Sequence, residues 1–274
     1  MLRITLLMAL ISGIPMIMEV KAQNLQSIGP GAPASAMGGI SSIHQDVLAM
    51  YGNEAGLAFI ENTVGYATAE KRFASEGLNY YSLVGAHPLR SGVIGFTAQY
   101  FGFEAFNEFL FGLAYGRKIA AHLSLGVQFD YLQVRIPGYG MKQAYLVELG
   151  LLSEIGEKVR MGFHIYNPFE IRWVEQEVLP IAVQVGLWYE VSDKVITMAE
   201  VEKVTNHPAN LKVGLQYQVA PTVALRLGIN TNPSTISFGV GYSIDSGMRV
   251  DVSSSVHQHL GLTPIGGVGY EIQD

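Results

Sequence analysis

The chain contains no cysteine, and charged residues make up only 15% of its 274 residues. The lack of cysteine excludes disulfides and a lipid anchor on a cysteine, so an exported form must be held together by its backbone ladders. A typical soluble domain has about 25% charged residues, so the charge content is low for a soluble protein. The net charge is −6 and no basic cluster is present, which predicts no nucleic-acid partner.

Long hydrophobic runs are also missing after the N-terminus. The apolar stretch from Ile4 to Met18 follows Arg3 and precedes Val20-Lys21-Ala22. It is too short for a helix that crosses a bilayer, which needs roughly 20 apolar residues. The pattern therefore predicts a cleaved signal peptide over residues 1–22 and an exported protein.

From Asn62 onward the sequence alternates apolar residues with polar or small ones. In one segment the apolar positions are Ile236, Phe238, Val240, Tyr242 and Ile244, and the positions between them are Ser237, Gly239, Gly241 and Ser243. Successive side chains of a strand point to opposite faces, so each such segment has one apolar face. The low charge and the glycine-rich second face indicate that the apolar face meets lipid.

Segments of this kind predict about fourteen strands, with twelve as the alternative, and an even number is what a single-chain bacterial barrel requires. The predicted strands cover 62–70, 77–87, 91–101, 108–117, 122–134, 143–154, 158–167, 179–191, 194–203, 210–219, 222–231, 234–244, 248–258 and 263–272. We predict an all-β fold, a transmembrane antiparallel β-barrel over residues 62–274 in the outer membrane of a Gram-negative cell, surrounded by lipid. A soluble barrel or sandwich with its apolar faces inward is the alternative.

Residues 23–61 form a different kind of segment, rich in Gly, Ala, Ser and Pro, with one predicted short helix from Ser41 to Ala49. The segment is too small to bury a core of its own. We therefore predict an N-terminal hatch or plug inside the barrel.

The polar face of the strands predicts a lumen rich in charges and glutamine. Together with the hatch it offers candidate lining residues for a ligand: Leu48, Met50, Phe59, Trp188, Arg160, His164 and Arg226. Packing of the hatch against the wall is the simpler interpretation of the same residues.

The sequence carries no convincing catalytic or cofactor motif. His257 and His259 would share a strand face, but no third metal ligand lies near them in the sequence. Asp130 and His164 lie two predicted strands apart. We predict a protein that is not an enzyme and that has no cofactor and no metal.

The hatch segment carries a family resemblance. It reads Ala34-Ser35-Ala36-Met37-Gly38-Gly39, then Asp46, then Tyr51-Gly52-Asn53-Glu54-Ala55-Gly56-Leu57-Ala58. This resembles the N-terminal signature of FadL-type outer-membrane barrels, and more closely the PorV/PorQ branch of Bacteroidetes. The resemblance implies a hatch motif at Gly38, Gly39, Asp46, Asn53, Gly56 and Leu57. Glu54 stands where members usually carry proline.

The resemblance implies two functions of different classes. PorV/PorQ-type barrels take part in type IX secretion, which implies a secretion-pore protein and exported cargo as partners. FadL-type barrels are passive channels for hydrophobic small molecules. We expect secretion or surface assembly first and the hydrophobic channel as the alternative. The predicted loop from Pro168 to Val178, with Phe169, Ile171 and Trp173, is the candidate partner contact.

Overall fold

The computed structural model describes residues 29–174, 177–244 and 246–273. The predicted signal peptide, residues 1–22, lies outside the described residues. Among the residues described, no helix has both the length and the apolar character needed to cross a membrane.

Fourteen strands form one closed antiparallel barrel. They are β1 (Val64–Lys71), β2 (Asn79–Leu89), β3 (Gly92–Phe103), β4 (Phe106–Ala120), β5 (Leu123–Ile136), β6 (Gly140–Ile155), β7 (Val159–Tyr166), β10 (Ala182–Ser192), β11 (Val195–Val204), β12 (Asn210–Ala220), β13 (Val223–Thr231), β14 (Ser234–Ser243), β15 (Met248–His257) and β16 (Gly261–Glu271). β16 pairs with β1, with Val64 opposite Glu271, so the sheet has no free edge. The predicted barrel of fourteen strands is confirmed.

The two faces of the wall have the predicted chemistry. In β14, Ile236 is 63% exposed on the outside, whereas Ser237 is 2% exposed on the inside. Tyr80 and Tyr166, both near strand ends, lie on the inside. Tyr80 donates to the carbonyl of Gly29 over 3.2 Å, and Tyr166 packs in an apolar cluster of the inner wall.

The barrel has two unlike rims. Turns after β2, β4, β6, β10, β12 and β14 form the short-turn rim, and connections after β1, β3, β5, β7, β11, β13 and β15 form the long-loop rim. Three register shifts of the wall, at Lys118/Ala120, Glu190/Ser192 and Gln218/Ala220, all lie at the short-turn rim. The longest connections between barrel strands, 72–78 and 167–181, lie at the long-loop rim, and such an asymmetry is typical of membrane barrels.

The longest connection, residues 167–181, is folded and not extended. It contains a separate hairpin of β8 (Arg172–Val174) and β9 (Glu177–Val178), and the predicted strand at 179–191 starts only at Ala182. Asn167 organises the loop, since its Nδ2 donates to the carbonyl of Leu179 over 2.9 Å and its Oδ1 accepts from the backbone N of Ile171 over 3.3 Å.

Residues 29–61, called here the inner segment, lie against the inner face of the wall. They include helix α1 (Ala32–Ala36) and two 3₁₀ helices (Val47–Tyr51 and Glu54–Phe59); a third 3₁₀ turn, Arg72–Ala74, follows β1. The predicted helix from Ser41 to Ala49 is wrong. Asp46 accepts from the backbone N of Leu48 over 3.0 Å, so helical structure starts only at Val47.

Candidate functional site

Glycines of the wall make room for the inner segment. A Cβ at Gly162 would lie 1.9 Å from the carbonyl oxygen of Ser42, and a Cβ at Gly228 would lie 2.1 Å from the backbone N of Gly38. At seven further wall glycines a Cβ would meet the inner segment at 2.1 to 2.8 Å: Gly95, Gly116, Gly126, Gly150, Gly186, Gly214 and Gly239. The inner segment therefore lies directly against glycines of nine strands.

Asn53 fastens the middle of the inner segment. Its buried side chain accepts from the backbone N of Ala55 over 3.2 Å and donates to the carbonyls of Ser42 and Leu151 over 2.6 and 3.1 Å. One amide thus caps a 3₁₀ helix, ties two turns of the segment together and reaches β6. 

The other residues of the predicted hatch motif lie in the same segment. The carbonyl of Gly39 accepts from Lys212, and a Cβ at Gly56 would lie 1.9 Å from the carbonyl of His44. Leu57 is fully buried in the apolar cluster described below.

A buried ion cluster on β11 and β12 clamps the inner segment. Nζ of Lys212 donates to Glu200 over 2.8 Å and also contacts Glu202. The second oxygen of Glu200 accepts from the backbone N of Ser41 and Ser42 over 3.0 and 2.8 Å. The carboxylate of Glu200 therefore joins a wall cation to the backbone of the segment.

A second ion cluster lies on β13 and β15. Arg226 donates to Asp251 over 2.7 Å, and Arg249 donates to the other oxygen of Asp251 over 2.8 Å. Arg249 also lies 3.5 Å from Asp46, which connects this cluster to the inner segment near the short-turn rim.

A histidine and carboxylates form a third cluster, between the inner segment and strands β6 and β7. Nε2 of His164 lies 2.9 Å from Oε2 of Glu148 and 3.4 Å from Oε1 of Glu54. Nδ1 of His164 lies 3.2 Å from Oε1 of Gln184. Glu54 is fully buried, and this burial raises the pKa of its carboxyl above the usual value.

Two cavities flank the inner segment. One of about 230 Å³ lies at the long-loop rim and reaches from Asn232 and Pro233 down to His164 and Glu148. The other, of about 460 Å³, lies at the short-turn rim between Phe59 and Arg249. The inner segment separates the two.

The inner face also carries two apolar patches. The first patch joins Met50 and Leu57 of the inner segment to Val84, Ala86 and Ala114 of the wall. The second patch lies beneath the loop 167–181 and consists of Leu110, Leu132, Ala144, Leu146, Tyr166 and Leu179, with Ile171 and Ala182 against it.

An apolar groove of about 670 Å³ lies on the outside of the wall, where the first patch lies inside. Its exposed rim is formed by Leu83, Ile94, Phe96, Leu113, Tyr270 and Ile272. Its lining includes Gly65, Ala67 and Gly85. On the inside, a Cβ at Gly95 would lie 2.4 Å from Sδ of Met50. Gly95 also lines the groove, so at this position a glycine without a side chain separates Met50 of the inner segment from the outer groove.

The predicted lining residues do not form one site. Leu48 and Met50 lie in the first apolar patch, and Phe59 lies at the short-turn rim with Lys118 over its ring. Trp188 lies on another side, with Arg160 4.6 Å above its ring. His164 and Arg226 belong to the two separate ionic clusters described above. Arg160 and His164 share β7, next to Trp188 on β10, whereas Arg226 lies on β13. The alternation of the sequence shows which residues face inward but not which of them meet.

The three predicted partner residues differ in position. Phe169 is 66% exposed, whereas Ile171 is half-buried against the second apolar patch. The side chain of Trp173 lies outside the described part of the structure.

Sequence reasoning missed the second apolar patch and the role of Glu54. A signal for the patch exists at 129–134, where Leu132 and Val134 interrupt the polar inner face of β5. The signal for Glu54 is a charged residue inside an otherwise small and apolar stretch.

No protein-family model and no curated protein sequence matches the chain. Solved structures do match it. The Ralstonia pickettii toluene transporter TbuX is 12% identical with a TM-score of 0.71, covering 91% of this chain and 100% of that one. The CymD monoaromatic hydrocarbon channel is 14% identical with a TM-score of 0.70, covering 92% and 99%. A Pseudomonas aeruginosa FadL homologue is 12% identical with a TM-score of 0.61, covering 88% and 95%. At such identities the likeness shows the fold alone, a closed antiparallel β-barrel like that of these FadL-type structures.

Proposed function

We propose that the protein is an outer-membrane channel for hydrophobic small molecules, with the inner segment as its movable hatch. The observation that carries the proposal is the thin wall of β1 to β4, which has an apolar patch inside and an apolar groove outside. The free energy of a hydrophobic molecule falls when it leaves water for such surfaces, by about 25 cal/mol per Å² of apolar area buried. In this proposal the protein lies in the outer membrane. It catalyses no reaction and uses no cofactor.

The second apolar patch supports capture at the outer side. Loops of such barrels on the long-loop rim face the exterior, and the turns face the periplasm. Leu110, Leu132 and Leu146 therefore lie near the external opening, beneath the loop 167–181. A hydrophobic solute that displaces this loop meets an apolar surface before it reaches the polar clusters.

Release sideways into the membrane is the step that the outer groove supports. Met50 and Leu57 fill the inner side of the thin wall, so a solute can reach it only when the inner segment moves. The outer groove then offers a continuous apolar surface that faces lipid. A solute released there never needs to cross the charged short-turn rim.

The matched structures favour this function over the secretion function that the sequence suggests first. They are described as a toluene transporter, a monoaromatic hydrocarbon channel and a FadL homologue. The PorV/PorQ branch, with a secretion pore and cargo as partners, is the second candidate. The observation in its favour is Phe169, exposed on the hairpin-bearing loop at the long-loop rim.

Filling the outer groove tests the proposed route. Gly65 lies in the groove, and the nearest atom to a Cβ there is the carbonyl oxygen of Val84 at 3.8 Å, so Gly65→Phe fits on the lipid side without disturbing the lumen. We expect several-fold slower uptake of radiolabelled toluene by cells that express this variant. 

The matched control is Gly266→Phe. Gly266 is a wall glycine of the neighbouring strand with nothing within 4 Å of its Cβ position. Equal uptake by the two variants at equal surface levels would contradict a route through the groove.

A further inference from the structure

The cluster of Glu54, Glu148 and His164 has the composition of a metal site. All three side chains are buried, and one potential ligand atom of each lies within 4.8 Å of the others. We infer that this cluster binds one divalent transition-metal cation through Nε2 of His164 and the carboxylates of Glu54 and Glu148. The inference goes beyond the channel function and does not depend on it.

The hydrogen bonds around His164 orient it as a ligand. The amide nitrogen of Gln184 donates to Glu202 over 3.2 Å, so the amide oxygen of Gln184 faces Nδ1 of His164. An amide oxygen only accepts, so Nδ1 carries a hydrogen and donates to it. In the neutral imidazole the lone pair then sits on Nε2 and points at the two carboxylates. A hydrogen bond from the other ring nitrogen is the usual arrangement around metal-binding histidines.

Without a cation the centre of this cluster holds acceptors facing acceptors. A proton on Nε2 would serve Glu148 at 2.9 Å, but Glu54 lies at 3.4 Å and neither of its oxygens has a hydrogen-bond partner. Glu54 is fully buried, and a buried carboxylate without a hydrogen-bond partner is unfavourable. A metal ion satisfies all three groups at once. It would also bridge the inner segment, through Glu54, to strands β6 and β7.

The surroundings define the kind of ion. Gln128 donates to the remaining oxygen of Glu148 over 3.2 Å, which holds that carboxylate in place as an outer-shell partner. One imidazole and two carboxylates suit Zn²⁺ or Mn²⁺ better than Ca²⁺ or Mg²⁺, which prefer oxygen ligands alone. Glu148 and His164 line the 230 Å³ cavity at the long-loop rim, which gives a hydrated ion a path to the cluster.

Calorimetric titration of the chelator-treated full chain in detergent tests the inference, with Zn²⁺, Mn²⁺, Ca²⁺ and Mg²⁺ as separate probes. We expect one Zn²⁺ or Mn²⁺ per chain. Glu54→Gln and His164→Gln should each weaken binding by at least about tenfold, the effect expected for disturbing a metal site. His122→Gln replaces an exposed histidine of a short turn and should bind as the wild type does.

Zinc X-ray absorption on the unmodified chain covers the case in which a variant fails to fold. We expect one imidazole nitrogen and carboxylate oxygens around the zinc. No binding of Zn²⁺ or Mn²⁺ by the wild type, binding of Ca²⁺ or Mg²⁺ alone, equal affinity in His164→Gln, or a zinc shell without imidazole would each overturn the inference.

Discussion

At the scale of single residues, the inner segment fits into the lumen because the wall glycines that face it have no side chains. At Gly162 a Cβ would overlap the carbonyl oxygen of Ser42 at 1.9 Å, and the atom it meets belongs to the backbone. A flexible side chain could rotate away, but a backbone carbonyl held on both sides cannot. The glycines of the inner face are therefore needed for the inner segment to pack against the wall.

Gly162→Ala should destabilise the folded barrel by about 1–3 kcal/mol, the usual cost of overpacking. Gly266→Ala should leave stability nearly unchanged, because nothing lies within 4 Å of its Cβ position. Urea unfolding of the two variants in lipid vesicles measures the difference. If both variants unfolded at the same urea concentration, the proposed tight contact at Gly162 would be wrong.

Individual inward residues follow from the alternation along each strand, which is why Arg226 is predicted to face the lumen and is found buried there, as are Lys212 and Asp251. Their partners do not follow. The pairing of Lys212 with Glu200 depends on the register between β11 and β12, which places the two residues directly opposite. The contact between Glu54 and His164 depends on where the inner segment crosses the lumen. The alternation of apolar and polar residues in the strands does not predict that path.

At the scale of elements, the inner segment is held by side chains of the wall more than by its own helices. Its helices are short, and the backbone N of Ser41 and Ser42 bonds to Glu200 of β11. The predicted helix over 41–49 is wrong because the carbonyl of Ser42, which a helix would pair with the backbone N of Asp46, instead accepts from the side chain of Asn53. Strands are better predicted because their alternation is set by lipid outside and polar groups inside.

Removing the cation that neutralises Glu200 should loosen the segment. Lys212→Met leaves the carboxylate of Glu200 buried without its cation, which costs about 3–5 kcal/mol for a broken buried pair. Lys194→Met changes an exposed lysine of a short turn and should cost little. Unfolding midpoints of the two variants give the comparison. A similar midpoint for both would show that the cluster does not clamp the segment.

At the scale of the whole molecule, a closed barrel contains the inner segment, and one side of its wall has an apolar patch inside and an apolar groove outside. The inner segment lies between the cavities at the two rims, and Met50 and Leu57 cover the thin part of the wall. Residues of the inner segment line both of these cavities. The proposed transport therefore requires the inner segment to move relative to the wall.

A reversible cross-link between the inner segment and the wall tests this requirement most directly. The Cβ of Ser42 lies 3.6 Å from the position of a Cβ at Gly186, within the range for a disulfide, and the chain has no other cysteine. Cells that express the Ser42→Cys/Gly186→Cys variant should take up toluene slowly when the disulfide is formed and recover uptake after reduction. Equal uptake in the oxidised and reduced states, with the disulfide verified by mass spectrometry, would contradict the account of a movable hatch.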